Sequence, residues 1–105
     1  MSNMDYIIDV DGSKIMIEEQ QQRTREEVVE MFKKYRKELG LTQAQLSARA
    51  RISQPNVTRF EGGNYNPTLE FMVKIAAAMG KKVKVSLEDW TRLISNKYND
   101  DWLGF

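Results

Sequence analysis

Between Thr42 and Arg59 the sequence TQAQLSARARISQPNVTR sets polar side chains at the starts of two short helical patterns, each opened by a hydroxyl residue. Gln54, Asn56, Thr58 and Arg59 stand in the first turns of the second pattern. Side chains there protrude far enough to meet base edges in a major groove: Gln or Asn bonds adenine through two contacts, and Arg bonds guanine likewise. Thr42 and Gln43 open the first pattern, where unpaired N–H groups and the positive end of the helix dipole favour a phosphate oxygen. Contacts of that kind set register, not sequence. Ser53, Arg49, Arg51 and the amides of Asn64 and Tyr65 lie close by in the chain and extend the set expected to meet phosphate.

Other chemistries lack raw material. The 105 residues contain neither cysteine nor histidine, which removes disulfides, thiolate nucleophiles, the commonest general base and the commonest zinc ligands. Asp9-x-Asp11-Gly12 resembles a calcium loop only superficially, because Gly falls at the fourth position and Gln20 stands where a bidentate Glu belongs. No enzyme activity, no metal and no cofactor are expected. The N-terminus is acidic, and no apolar run approaches the roughly 18 residues that span a bilayer, so a cytoplasmic location is expected.

The net charge of +1 hides an uneven distribution. Residues 1–32 carry net −5, residues 33–85 net +8 and residues 86–105 net −2. A basic segment between acidic flanks fits one part of the chain meeting phosphate while the others do not.

These side chains need elements to hold them. Residues 5–18 alternate weakly around Asp11-Gly12, a hairpin turn signal, and predict two short strands. The polar run 18–23 reads as a connector or a frayed helix start. Thr24 with Glu27 makes a capping-box pattern ahead of Val28, Phe32, Tyr35 and Leu39, so a first helix is expected to end at Gly40. Thr42 with Gln45 repeats the box and opens a second helix carrying Ala44, Leu46 and Ala50. Ser53 caps a third, with Pro55 tolerated in its first turn. Thr68 caps a fourth, with Leu69, Met72, Val73, Ala76 and Met79 on one stripe, closed by Gly80. Met31, Met72 and Met79 are read as packing residues. Lys82 to Leu87 alternates with period two and predicts a strand, after which a short helix with Trp90, Leu93 and Ile94 is expected. The domains expected are an acidic hairpin and connector at 1–22, a helical domain at 23–80, and a strand with a C-terminal segment at 81–105.

The stretch 36–87 resembles the helix-turn-helix of the Cro/C1 (XRE) family, through LGLTQAQLS, ISQPNVTRFEGG and PTLEFMVKIAAAMG in that order. The resemblance implies a mainly α, lambda-repressor-like helix-turn-helix bundle, here with an N-terminal β-hairpin and a short strand after the helical module. It also implies that Gln54, Pro55, Asn56 and Arg59 face bases, that Val57 and Phe60 point inward, and that Arg36 and Glu61 form a structural ion pair. Three residues depart from the pattern. Arg51 stands where the family turn usually has Gly and would cost about 1 kcal/mol if left-handed. Pro55 offers only apolar contact, and Gly62 lacks the polar side chain often found there.

The ending KKVKVSL is similar to HigA-type antitoxins, in which a strand follows the helices and can join a partner's strand. An acidic N-terminal block would complement a small basic toxin. The partners expected are a palindromic double-stranded operator, a second copy of the chain, and such a toxin. Val83, Val85 and Trp90 are the candidate dimer contacts, although the same strand could pair instead with its own N-terminal hairpin. A stand-alone repressor and a protein-interaction module remain open beside the antitoxin reading.

Overall fold

The computed structural model describes residues 6–90, so the expected helix around Leu93 and Ile94 lies outside the described residues. The order is a hairpin, β1 (Ile7–Val10) and β2 (Ser13–Met16), then four helices: α1 (Ile17–Glu38), α2 (Gln43–Ala50), α3 (Gln54–Glu61) and α4 (Leu69–Ala78). Among the described residues two compact units result, one running Gln20–Lys84 and the other containing the hairpin and residues 85–90.

In the hairpin, Ile7 pairs with Met16 and Val10 with Ser13 in an antiparallel ladder. Asp11 and Gly12 turn the chain at φ 50° and 84°. Positive φ at both positions is what a two-residue hairpin turn of matching twist requires, and Asp-Gly supplies it at low cost. Asp9 steadies the turn by accepting from the Gly12 N–H and from Lys14 Nζ at 3.2 and 3.1 Å.

α1 begins seven residues before the expected cap at Thr24 and absorbs the run 18–23. Gln and Glu are strong helix formers, and Gln20 and Gln22 bond Thr24 and Glu26 one turn on, at 3.4 and 2.9 Å. Glu18 and Glu19 sit in the first turn, where the helix dipole favours them.

The core of the helical unit joins Val29 and Phe32 of α1 to Leu41, Leu46, Ala50, Val57, Phe60, Phe71, Ile75, Ala76 and Met79. Phe60 lies between two rings, edge-on to Phe32 at 5.7 Å and tilted to Phe71 at 5.1 Å. Two expected stripes are covered in part: Val28, Phe32 and Tyr35 of α1, and Met72, Ala76 and Met79 in and at the end of α4, meet the core. Met31 on α1, Leu39 in the turn after it, and Leu69 and Val73 on α4 are exposed, while Val29, Phe71 and Ile75, outside the expected stripes, are buried. Met72 packs only partly against this core.

Residues 81–89 carry no regular structure, so the strand expected over 82–87 does not appear. Alternation is a strand only when a neighbour completes the ladder, and among the described residues the sole sheet has two strands, β1 and β2. Val83 packs against the helical core, while Val85 and Leu87 lie in the open.

Candidate nucleic-acid interface

Two capped helices and the turn between them build the site. Thr42 caps α2 with a reciprocal box: its Oγ1 accepts from the Gln45 N–H at 3.0 Å, and Gln45 Oε1 accepts from the Thr42 N–H at 2.9 Å. α2 ends at Arg51 in the left-handed region, φ 60° and ψ 44°. That is the conformation for which Gly is usual, held here by an Arg whose side chain is exposed. Ser53 then caps α3, its Oγ accepting from the Asn56 N–H at 3.4 Å, and Pro55 occupies the first turn without loss of an intrahelical bond.

The face of α3 divides as its periodicity requires. Val57 and Phe60 are fully buried, while Gln54, Pro55, Thr58 and Arg59 are exposed and Asn56 is half-buried. Arg59 donates to Asn56 Oδ1 one turn back, so these two side chains present a joined polar surface.

Behind α3 lies a buried charge pair. Arg36 donates from Nε and Nη2 to the two Glu61 oxygens at 2.7 and 2.9 Å, and from Nη1 to the Leu41 carbonyl at 2.7 Å. Their side chains are 11% and 4% exposed, so the pair pins α1 to α3 away from water. Gln43 joins the same cluster. Its Nε2 donates to Glu61 Oε1 at 2.9 Å, and its Oε1 accepts from the Thr58 hydroxyl at 2.8 Å. Sequence spacing expected Gln43 to face phosphate and Thr58 to face a base. Partners 15 and 18 positions apart leave no periodic signal by which this link could have been found.

The remaining expected phosphate contacts are spread around the pair of helices. Arg49 reaches the Ala78 carbonyl at 3.4 Å, at the far end of α4. The Asn64 backbone N–H is committed to the Arg59 carbonyl at 3.1 Å, which leaves its exposed side chain for other partners. The Tyr65 ring tilts against Phe71 at 5.0 Å. An open cleft between the first turns of α3 and α4 is walled by Arg51, Ser53, Asn56, Tyr65, Thr68 and Lys74, with Glu70 beside Lys74 at 3.0 Å. A contact absent from the sequence reading closes the loop: Arg25 of α1 donates to Asn66 Oδ1 and to Gln22 Oε1. The candidate dimer residues separate, Val83 packed on its own core and Val85 and Trp90 exposed.

Two short capped helices crossing through a tight turn, with polar side chains along the outer face of the second, define a helix-turn-helix unit of the kind that reads DNA. A family model described as "Helix-turn-helix" matches residues 32–85, just over half the chain. The chain belongs to this family, in its XRE form, a class of DNA-binding regulators and not of enzymes. An uncharacterised HTH-type transcriptional regulator of Haemophilus influenzae is 38% identical over 50 residues, 48% of this chain and 51% of that one. Another from Methanothermobacter thermautotrophicus is 36% identical over 52 residues, 50% of this chain and 75% of that one. The chain thus spans about half the length of the first of these relatives. Among solved structures, one described as a toxin-antitoxin module from Streptococcus pneumoniae superposes with a TM-score of 0.58 at 27% identity, over 71% of this chain and 82% of that one. No helix among the described residues is long and apolar enough to cross a membrane.

Proposed function

We propose that the protein is the antitoxin of a toxin–antitoxin pair and that, as a dimer in the cytoplasm, it represses its own operon. In this reading α3 enters the major groove of a palindromic operator. Gln54, Asn56 and Arg59 meet base edges, Pro55 touches a thymine methyl, and Thr58 offers its hydroxyl oxygen to a base. Thr42, Ser53, Arg49, Arg51 and the side chain of Asn64 hold the flanking phosphates, with Tyr65 at their edge. The hydroxyl oxygens of Thr42 and Ser53 each accept a capping N–H, and each keeps its own proton to donate to phosphate. The acidic block of residues 1–32, net −5, complements a small basic toxin.

The observation that carries the DNA half is the exposed polar face of α3 on a helix whose opposite face is fully buried. Support for the partner half is the likeness to a toxin-antitoxin module together with the acidic flank. The test is co-expression with the product of the adjacent reading frame, then a gel shift on the upstream DNA with and without that product. Co-elution of a small basic protein and a shift it modifies are expected. A shift with no such neighbour supports the second reading, a stand-alone repressor, which the relatives described only as transcriptional regulators favour. Absence of any salt-sensitive shift, or a shift unaffected by Gln54→Ala with Arg59→Ala, removes the DNA half and leaves a protein-interaction module.

A further inference from the structure

Gln43, Thr58 and Glu61 form one hydrogen-bonded chain whose polarity is set at its inner end. In its ion pair with Arg36, the Glu61 carboxylate offers only lone pairs, and one of its oxygens lies 2.9 Å from Gln43 Nε2. The Gln43 amide therefore has one allowed orientation. Turned over, it would set a carbonyl oxygen against a carboxylate oxygen. Its Oε1 consequently faces Thr58, and the single hydroxyl proton of Thr58 is spent on that oxygen at 2.8 Å. Thr58 is exposed on α3, so a partner that reaches its Oγ1 from outside meets lone pairs and no proton.

A free hydroxyl rotates to suit either a donor or an acceptor and discriminates little. This one cannot rotate without breaking the link to Gln43. We infer that Thr58 is a fixed hydrogen-bond acceptor in the groove, selecting a base with an exocyclic amino group, adenine N6 or cytosine N4, and that Gln43 is the positioning residue that imposes this polarity. Guanine O6 and thymine O4 would bring lone pairs against lone pairs at the same place. The inference rests on α3 being the recognition helix.

The experiment is selection from a randomised duplex library followed by sequencing, for the unaltered protein and for Thr58→Val, Thr58→Ser and Gln43→Leu. The unaltered protein should enrich A or C over G or T at one position of each half-site by about three- to tenfold, the range of one net hydrogen bond. Thr58→Val should flatten that position alone, and Thr58→Ser should restore it. Gln43→Leu should flatten it too although Thr58 is intact, because the hydroxyl regains its rotation. A merely structural Gln43 would instead lower enrichment of all sequences uniformly with the preference kept, and that outcome overturns the inference. So does a Thr58-dependent preference for G or T, which decides the matter even if Gln43→Leu fails to fold, since Thr58 is exposed. Enrichment of no sequence by the unaltered protein overturns the recognition-helix reading itself, a result distinct from selective binding with the wrong preference.

Discussion

Arg51 and Glu61 illustrate how differently single side chains weigh on this structure. Arg51 closes α2 at φ 60°, where a Cβ crowds the backbone and only glycine is at ease. Arg51→Gly is expected to raise stability by about 0.5–1 kcal/mol in urea denaturation, while removing a cation beside the α3 N-terminus. If that cation meets phosphate, the log–log slope of DNA affinity against salt should fall by about 1. Unchanged slope with improved stability would assign Arg51 to the turn alone. Glu61 weighs the other way. Glu61→Ala leaves the Arg36 guanidinium, 11% exposed, without its counter-charge, and should cost about 3–5 kcal/mol in the same denaturation. A loss under about 1 kcal/mol would show that the pair contributes no more than a surface ion pair. The Arg51 departure and the partners Arg36 and Glu61 were visible in the sequence through the resemblance. The Gln43 link was not, because side chains meeting across two helices depend on the crossing angle, which spacing does not encode.

The helices were legible where a cap marks the start and a buried line marks the face. Thr42, Ser53 and Thr68 all cap as their hydroxyls suggest, each accepting from the N–H three residues on. Thr42→Ala should therefore cost about 1 kcal/mol, read as a lowered melting temperature, and Thr42→Ser should recover most of it. Equal loss in both variants would point to the Thr42 methyl and not to the cap. α1 was less legible because its start at Ile17 carries no cap residue. It follows directly from the hairpin, whose Tyr6 carbonyl accepts the Ile17 N–H at 3.1 Å. The stripes on α1 and α4 were legible only in part because an apolar residue at helical spacing satisfies the pattern whether or not a neighbour covers it, and Leu69 and Val73 remain uncovered. Residues 82–87 show the same limit for strands. Their alternation specifies which side chains share a face, but a ladder needs a second chain segment that sequence alone does not supply.

The exposed side chains of Val85 and Leu87 bear on assembly. Two recognition helices must stand about 34 Å apart to enter successive major grooves on one side of a duplex, so the proposed dimer needs a contact that sets that separation. Val85 and Leu87 are 70% and 96% exposed in the single chain, whereas Val83 is already packed on its own core. The exposed pair can thus be altered with little cost to the fold, since substitutions at such positions shift stability by no more than about 0.5 kcal/mol. If this segment joins the copies, Val85→Asp with Leu87→Asp should leave the melting temperature of the helical unit in place while sedimentation at micromolar concentration shifts from dimer to monomer. Binding to a duplex with two half-sites should then weaken far more than binding to one half-site, because the second recognition helix no longer arrives with the first. A variant that stays dimeric would move the contact to another surface. A monomer that keeps its full preference for the two-site duplex would mean that the DNA, and not this segment, brings the copies together.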